Sequence, residues 1–344
     1  MGALEPAFRF AAVFRFRAVF RFRAVLRVTR SGSFAPPVSR FHSSKVAGEI
    51  FPSTRSCANF RRCAWLLKGM NYPIAMTDHA GRCRDFHRLH QAGCFVIPNP
   101  WDAGSAHVLA RLGFPALATT SAGFAWSRGR ADNHVTLDEA LDHFRTIAAA
   151  VDVPVNGDFE AAFAVEPQDV ATNVAAAAAT GIAGVSVEDG TGRQSEPLFD
   201  FGLAVERVRA ARRAIDLGGV PVVLTARSEG FIVGRPDLDE TIRRLVAFAG
   251  AGADCVYAPG IRAKEDIVAI VSAVAPTPVN VLVGADFTTV ADLAALGVRR
   301  ISVGGALARA AWTGFLSAAT EIAERGTFGA LGRAIPFADL NGRF

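Results

Sequence analysis

From about residue 90 onward, the chain repeats one pattern: a short apolar run followed by a longer stretch rich in Ala and Leu. Continuous apolar runs are typical of strands buried on both faces, and the stretches between them are long enough to form helices. The predicted strands are Cys94–Pro98, Ala116–Thr120, Val153–Asp158, Gly184–Glu188, Val222–Arg227, Cys255–Ala258, Val279–Val283 and Arg300–Val303. The predicted helices lie near residues 102–112, 136–150, 167–180, 203–216, 237–251, 264–274, 288–296 and 305–325.

This alternation favours one fold. A repeating βα order implies right-handed crossovers and a parallel sheet. Eight such units over about 235 residues match the (β/α)8 barrel, which typically takes ~250 residues. An open doubly wound sheet is the alternative, but it would need a G-x-G-x-x-G turn after the first strand, where this chain has NPWDAGS. We therefore predict an α/β protein with a (β/α)8 TIM-type barrel over residues 76–330 and a C-terminal tail over residues 331–344.

The first 75 residues follow a different pattern. Residues 8–13, 14–19 and 20–25 read FRFAAV, FRFRAV and FRFRAV, a repeat with Phe at even positions and Arg at odd ones. Three interpretations stay open: sequence upstream of a true start at Met70 or Met76, an Arg-rich organelle transit peptide, or a genuine basic arm. In each case we expect residues 1–75 to be a disordered or spurious basic extension that adds nothing to the fold.

The charge and the cysteines limit the classes of partner. Residues 1–75 hold 13 Lys and Arg against 2 Asp and Glu, whereas the rest of the chain holds 24 against 30. Because the basic excess belongs to the extension, no nucleic-acid partner is expected. No apolar run reaches the ~18 residues of a membrane span. The five cysteines form no C-x-x-C or Cys/His ligand pattern, so we expect reduced thiols and a cytoplasmic protein, or a mitochondrial one if the extension is a transit peptide.

Acidic residues gather at the ends of two consecutive predicted strands. The run VPVNGDFEAAF places Asp158 and Glu160 after the third strand, and GVSVEDG places Glu188 after the fourth. The C-terminal ends of barrel strands form the face that carries active sites, and carboxylate oxygens are ligands for a hard cation such as Mg²⁺. Each residue alone could be a strand-end or helix cap. Three carboxylates on consecutive strand ends favour a metal site.

Other strand ends add polar groups to the same face. The second strand ends in TTSAG, Thr119–Gly123, whose small residues let backbone N–H groups approach a carboxylate or a phosphate. The fifth ends in TARSEG, with Arg227 and Glu229. Arg227 could bind substrate, or it could form a rim ion pair with Glu188 or Glu229. Asn280 in the seventh strand could contact substrate or bond to a neighbouring strand.

Over residues 83–325 or so, these motifs resemble the isocitrate lyase/phosphoenolpyruvate mutase superfamily. NPWDAGSA, at residues 99–106, resembles the N-x-W-D-x-x-S-A opening, and TTSAG resembles the Ser-Gly substrate loop. D-F-E followed by A-A-F stands where the family has D-x-D followed by G-Y-G, VEDG resembles I-E-D, and TARSEG resembles A-R-T-D. Asp132 resembles the aspartate that follows the substrate loop, and Asn280 resembles an Asn that contacts substrate.

The resemblance implies Mg²⁺, or Mn²⁺ in its place, and an enolate intermediate. It implies the metal-shell residues Asp132, Asp158, Glu160 and Glu188. It implies substrate contacts from Thr120, Ser121, Ala122, Gly123, Arg227 and Asn280. The catalytic roles fall to Arg227 and Glu188. The expected partner is a small carboxylic acid.

One departure from the family narrows the reaction. Family lyases carry a mobile K-K-C-G-H loop after the fourth strand, and its Cys serves as acid/base. Here the stretch is DGTGRQSEP, Asp189–Pro197, which contains no Cys, Lys or His. We therefore expect a short superfamily member other than an isocitrate lyase. Its reaction would be C–C cleavage of a 2-oxo or 2-hydroxy acid, oxaloacetate decarboxylase-like or methylisocitrate lyase-like.

Two other functions and an assembly state stay open. One is C–P chemistry of the phosphoenolpyruvate mutase or phosphonopyruvate hydrolase kind. The other is a barrel that binds a phosphorylated metabolite at VGGAL, residues 303–307, or that is non-catalytic. The resemblance also implies that the eighth helix is exchanged between subunits of a homodimer or homotetramer. Residues 306–319, which include Trp312 and Phe315, are more apolar than a helix with one face in water needs to be.

Overall fold

The computed structural model describes residues 78–344, so the predictions for residues 1–75 lie outside the described residues. Each predicted strand is present at its place, and its ends differ from the prediction by at most two residues. The strands are β1 (Phe95–Ile97), β2 (Leu117–Ala118), β3 (Val155–Asp158), β4 (Gly184–Glu188), β5 (Val223–Arg227), β6 (Cys255–Tyr257), β7 (Val279–Leu282) and β8 (Arg300–Ser302).

The strands form one parallel sheet in the order β1-β8-β7-β6-β5-β4-β3-β2. The β4–β5 ladder runs from Gly184 opposite Val223 to Glu188 opposite Arg227. At the seam between β1 and β2, the amide of Ala118 donates to the carbonyl of Pro98 at 3.1 Å. The sheet is therefore a nearly closed barrel, and the predicted (β/α)8 TIM-type fold is confirmed.

Helices follow the strands as predicted, and caps in the sequence fix where several begin. Asp102 and Thr136 each accept a bond from the backbone three residues on and form reciprocal capping boxes with Ser105 and Glu139. The helices are α1 (His79–Gln91), α2 (Ala103–Arg111), α3 (Ser121–Ser127), α4 (Leu137–Ala150), α5 (Pro167–Ala178), α6 (Phe201–Gly218), α7 (Leu238–Gly250), α8 (Lys264–Val274), α9 (Val290–Ala295), α10 (Ala306–Arg325) and α11 (Phe337–Asn341).

Helix α1 covers the N-terminal end of the barrel, and the sequence analysis did not predict it. Its Phe86 is fully buried, and a Cβ on Gly184 would lie 2.5 Å from the Phe86 ring, so β4 needs glycine at this contact. The Nε2 atom of His79 lies 2.8 Å from the carbonyl oxygen of Ile182, just before β4. Helix α1 therefore closes the N-terminal end of the barrel, and the C-terminal end stays open for a binding site.

The barrel interior is polar in its middle. Along β4 the buried side chains alternate, so that Ser186 faces the interior cavity while Val185 and Val187 join the hydrophobic core. Ser186 is one of several buried interior polar residues: Asn156, Ser186, Thr225, Asn280, Arg300 and Ser302. Barrel interiors are usually filled by branched apolar side chains. Here polar residues instead line a cavity beneath the C-terminal ends of the strands.

Helix α10 lies where the eighth helix was predicted, but it is largely exposed. Of its residues, Ala308 is buried, whereas Phe315 and Leu316 are 59% and 55% exposed. A 3-10 helix, Gly329–Arg333, crosses the predicted start of the tail at residue 331, and the tail itself contains α11. The end of the tail approaches α2, where the carbonyl of Arg343 accepts from Arg111. No helix among residues 78–344 is long and apolar enough to cross a membrane.

Candidate active site at the strand ends

A cavity of about 190 Å³ opens at the C-terminal ends of the strands and continues into the polar interior. Its size suits a small metabolite. Seven of the predicted site residues line it together: Thr120, Ser121, Ala122, Asp132, Asp158, Arg227 and Asn280. Asp158 and the substrate motifs therefore meet in one place, whereas the predicted site residues Gly123, Glu160 and Glu188 do not line the cavity.

Arg227, the last residue of β5, is the centre of the site. Its Nη1 lies 2.7 Å from Asp158 Oδ1, its Nη2 lies 3.0 Å from Glu188 Oε2, and its Nε lies 2.8 Å from Glu229 Oε1. Burial alone would lower the pKa of Arg227, but the three carboxylates raise it well above its ordinary value. The guanidinium is therefore permanently charged and links the ends of β3, β4 and β5.

The acids around Arg227 outnumber it. Burial, together with the neighbouring carboxylates, raises the pKa of Glu188 and of Glu229 above the ordinary glutamate value, although Arg227 opposes this. One guanidinium cannot balance three carboxylates in a place with little water. With all three carboxylates ionised, the site has an excess of negative charge, which a bound cation would reduce.

Asp158, the last residue of β3, is held on both sides. Its Oδ1 accepts from Arg227, and its Oδ2 accepts from the backbone amide of Ser121 at 3.0 Å. Ser121 begins α3, so TTSAG is the start of a short helix rather than the loop expected from the sequence. The Ser121 amide, proposed above as a donor to substrate, donates to Asp158 in this structure.

Glu160 and Asp132 flank Asp158 and are less fully bonded. The Oε1 atom of Glu160 is buried and has no hydrogen-bond partner among the described residues. Burial, followed by the charges of Asp158 and Asp132, raises the pKa of Glu160 to about 7. Partial removal of its carboxyl from water and the charge of Asp158 raise the pKa of Asp132, although the residue as a whole is exposed. Both side chains would gain from a positive partner.

The segment after β4, residues 189–197, packs against the residues that follow β5. Asp189 is buried, accepts from the backbone amide of Glu229 at 2.8 Å and pairs with Arg244 at 3.1 Å. Farther on, the exposed Arg193 pairs with Glu196 at 2.9 Å. Asp189 thus fixes the segment that carries Glu229, and the Arg193–Glu196 pair stays at the surface.

Gly123 and Asn280 have neighbours that bear on their predicted roles. A Cβ on Gly123 would lie 2.7 Å from Thr120 Cγ2 and 3.0 Å from Trp101 Cβ, so glycine is required here for close packing. Asn280 lines the cavity and also donates to Ser302 Oγ at 2.9 Å. Substrate binding by these two residues stays a prediction.

Several cavity residues were not singled out from the sequence. Asn99, just after β1, links the segments that follow β2 and β8. Its side-chain amide donates to the carbonyl of Thr119 at 2.9 Å, and its side-chain oxygen accepts from the amides of Val303 and Gly304. The other polar ones, all within strands, are Asn156, Ser186, Tyr257, Arg300 and Ser302. Their signal is a polar residue at every second position inside an apolar strand.

The fold and this cavity define a (β/α)8-barrel enzyme of the lyase/mutase class. Residues 86–323 match the model of phosphoenolpyruvate phosphomutase. The chain belongs to the phosphoenolpyruvate phosphomutase family, and the resemblance to the isocitrate lyase/phosphoenolpyruvate mutase superfamily is confirmed.

Three similar proteins indicate the range of chemistry. A crystal structure from Burkholderia cenocepacia J2315, described as a lyase/mutase, is 48% identical with a TM-score of 0.74, and the match covers 77% of this chain and 95% of that one. An oxaloacetate decarboxylase of Rhodopseudomonas palustris HaA2 is 26% identical over 67% of this chain and 78% of its own length. Oxaloacetate acetylhydrolase, solved with its product oxalate, is 26% identical with a TM-score of 0.69 over 77% and 94% of the two chains.

Proposed function

We propose that the protein is a Mg²⁺-dependent carbon–carbon lyase that decarboxylates a small 2-oxo dicarboxylic acid of the oxaloacetate type, giving a 2-oxo acid and CO2. The oxaloacetate decarboxylase of Rhodopseudomonas palustris and oxaloacetate acetylhydrolase both act on oxaloacetate by name, which supports this substrate class. The electron pair of the broken C–C bond would remain on the substrate as an enolate, and a proton would then convert the enolate to the product.

One observation carries the choice of decarboxylation. Among residues 78–344, those that line the cavity include carboxylates, hydroxyls, amides and two arginines, but no Cys, His or Lys. Aldol-type cleavage of a 2-hydroxy acid needs a base to remove the hydroxyl proton. In an oxaloacetate-type acid, CO2 leaves from the carboxylate on the carbon next to the 2-oxo group, the electron pair of the broken bond passes into the enolate, and this first step needs no base. A site with stabilising charge and no Cys acid/base is suited to that reaction.

The donor set fits a divalent cation, although residues 78–344 contain no preformed group of three or more His, Cys, Asp or Glu side chains that could hold a metal. The orphaned, buried Oε1 of Glu160 is a hard oxygen without a partner, and Mg²⁺ commonly keeps several waters, so it does not need three direct protein ligands. Asp158 would hold the metal, with Glu160, Glu188 and Asp132 directly or through water. Bound there, Mg²⁺ or Mn²⁺ would stabilise the negative charge that develops on the 2-oxo oxygen.

The chain's own groups would orient the substrate. Arg227 presents a fixed fork of N–H donors that matches a carboxylate. Its Cζ lies 5.2 Å from the centre of the Tyr257 ring, which holds the guanidinium plane in place. Glu229 and Glu188 keep Arg227 aimed across the strand ends. A substrate carboxylate would therefore meet an arginine whose position is already set.

C–P chemistry is the second candidate. It would need a cation for a phosphonate group on the loop after β4, where the sequence offers Arg193. In the structure Arg193 is exposed and paired with Glu196, an observation that favours C–C cleavage. A non-catalytic barrel is the third candidate, and failure to bind Mg²⁺ would support it.

The test is turnover of purified protein with a panel of acids: oxaloacetate, a 2-methylisocitrate-type hydroxy acid and phosphonopyruvate. We expect pyruvate and CO2 from oxaloacetate at a rate above that of Mg²⁺ alone, loss of the rate with a chelator, and its return with Mg²⁺ or Mn²⁺. Asp158→Asn protein, which we expect to stay folded without Mg²⁺ binding, is the matched control for catalysis by free metal. Inorganic phosphate released from phosphonopyruvate, with none of the other acids consumed, would overturn the proposal in favour of C–P chemistry.

A further inference from the structure

The floor of the cavity carries a positive charge. Arg300 begins β8 and is 3% exposed, yet it lines the cavity. Its backbone is opposite Phe95 in β1 and Asn280 in β7, below the strand ends that carry the acids. Buried charges in proteins are normally paired with an opposite charge or held by a full set of hydrogen bonds.

The hydrogen bonds of Arg300 occupy part of its guanidinium. Its Nε donates to Asn280 Oδ1 at 2.9 Å, and its Nη1 donates to Thr225 Oγ1 at 3.0 Å and lies 3.3 Å from His90 Nε2. The remaining terminal nitrogen, Nη2, has no hydrogen-bond partner among residues 78–344. These contacts fix the plane of the guanidinium and leave one donor edge open.

Every partner of Arg300 is neutral. The Nδ1 of His90 lies 2.7 Å from the carbonyl oxygen of Phe86, which can only accept, so Nδ1 carries the proton and Nε2 accepts from Arg300. Burial, and then the charge of Arg300, lowers the pKa of His90 to about 3, so the ring stays uncharged. No carboxylate among the described residues forms an ion pair with Arg300. Its charge is therefore uncompensated in the protein alone.

Two other buried arginines show how the chain treats this charge elsewhere. Arg244 pairs with Asp189 and Glu240. Arg207 donates from both terminal nitrogens to the carbonyls of Ala161, Ala164 and Val165. Neither lines the cavity. The arginine with an open donor edge and no anionic partner is the one at the floor of the candidate active site.

We infer that Arg300 binds one carboxylate group of the substrate at the floor of the cavity and thereby selects for acids with two carboxylates. This inference rests on the proposed function for the identity of the substrate. At the opposite end lie the acids of the strand ends, Asp158, Glu160, Glu188 and Glu229, together with Asp132 from the turn after α3, and in their ionised form these acids repel an anion that lacks a bound cation. The floor offers a positive group with no competing acid and little water, where attraction between unlike charges is strongest. A dicarboxylate can reach both ends of the cavity, whereas a monocarboxylate can use one.

The test compares anion binding in two variants of Arg300 with binding in a matched control. Arg300→Gln removes the charge and keeps a polar side chain, and Arg300→Lys keeps the charge without the fork. Arg299→Gln is the control, because the neighbouring Arg299 donates to the carbonyl of Gly93 outside the cavity. The probes are oxalate, malonate and pyruvate, titrated by calorimetry into protein with Mg²⁺, and Mg²⁺ is also titrated alone.

Loss of a charge-assisted contact predicts malonate affinity about 10- to 100-fold weaker in Arg300→Gln. We expect a smaller loss in Arg300→Lys, wild-type affinity in Arg299→Gln and unchanged Mg²⁺ binding in all three. Malonate should also raise the melting temperature of the wild type more than that of Arg300→Gln, because the anion compensates the buried charge. In turnover, Arg300→Gln should raise KM more than it lowers kcat.

The outcomes separate this inference from the proposed function. Equal malonate affinity in Arg300→Gln and wild type, or no binding of any probe to the wild type in the millimolar range, overturns the role of Arg300. Loss of binding together with an equal loss of melting temperature in both Arg300 variants would mark a structural residue and also overturn it. If malonate binding depends on Arg300 but no acid of the panel is turned over, the anion site stands and the lyase proposal fails.

Discussion

Arg227 Nη1, at the end of β5, lies 2.7 Å from Asp158 Oδ1, at the end of β3, and so passes over the intervening strand β4. Glu188, the last residue of β4, meets the same guanidinium at 3.0 Å. Three neighbouring strand ends are thus tied by one side chain. Any metal that uses Asp158 or Glu188 must share those carboxylates with Arg227, so metal binding and the position of Arg227 are coupled.

Asp158→Asn should abolish Mg²⁺ binding and activity while the barrel stays folded. The change removes a charge at a strand end but keeps the shape of the side chain and one of the two oxygens that accept from Ser121 and Arg227. Calorimetry with Mg²⁺ and circular dichroism measure the two effects. Asp152→Asn, at an exposed position before β3, is the matched control and should bind Mg²⁺ like the wild type. Unchanged Mg²⁺ affinity in Asp158→Asn would remove Asp158 from the metal site.

Arg227→Ala should destabilise the fold at neutral pH by about 3–5 kcal/mol, because it leaves the buried Glu229 and the half-buried Asp158 and Glu188 without their cation. The comparison is Arg193→Ala, which breaks the exposed pair with Glu196 and should cost less than about 1 kcal/mol. Chemical denaturation of both variants measures the free energies of unfolding.

The loss of unfolding free energy caused by Arg227→Ala should become smaller as the pH falls toward 5. Burial raises the pKa of Glu188 and Glu229, and loss of Arg227 raises it further. The folded variant then takes up protons that the unfolded chain does not yet bind, so its stability rises relative to the wild type as the pH decreases. A deficit that is the same at pH 8 and pH 5 would show that lost packing, rather than unpaired charge, is the cause.

The strand positions and the acids could be predicted because both depend on local sequence. The apolar runs predicted the strands. The residues at the end of each run predicted which side chains lie at the C-terminal face of the barrel. The ion pairs of Arg227 could not be predicted, since contact between the ends of β3 and β5 depends on how tightly the sheet curves. Sequence position alone left Arg227 with two interpretations, substrate binding or a rim ion pair.

Helices α1 and α3 were missed for different reasons. The buried residues of α1, Cys83, Phe86 and His90, recur at helical spacing, but polar and charged residues dominate the rest of the helix. In α3, the sequence Ser121–Ser127 is short and begins with small residues that are typical of a loop. Arg300 was missed because an arginine next to Arg299 at the start of a strand suggests an exposed strand end.

Glu160→Gln should make the protein more stable above pH 7 and leave its stability unchanged below about pH 4.5. The pKa of Glu160 is raised from an ordinary 4.5 to about 7, so between these values the folded state binds a proton that the unfolded state has released. Stability of the wild type therefore falls as the pH rises through this window, by about 3 kcal/mol at most. The variant, which has no charge at this position, lacks that loss.

Mg²⁺ should change the difference in stability between Glu160→Gln and the wild type. Denaturation of both proteins at pH 8, with and without the metal, measures this change. If Glu160 belongs to the metal shell, Mg²⁺ stabilises the wild type more than Glu160→Gln, because the ion favours the ionised carboxylate. Glu166→Gln, at an exposed position before α5, is the control and should follow the wild type with and without Mg²⁺. Equal stabilisation of Glu160→Gln and wild type by Mg²⁺ would place Glu160 outside the metal shell.

Exposure of α10 leads to the prediction that the protein is at least a dimer in solution. Ala308 is its buried residue, and the large apolar side chains Trp312, Phe315, Leu316 and Ile322 are each more than a third exposed. Exposed apolar patches of this kind mark protein–protein contacts, and an element exchanged between identical subunits gives a closed, symmetric assembly.

Light scattering at micromolar concentration should give at least twice the chain mass of 36.4 kDa. Leu316→Asp should shift the mass toward one chain, whereas Leu217→Asp, at an 89% exposed leucine in α6, should not. A wild-type mass of one chain would contradict the prediction outright.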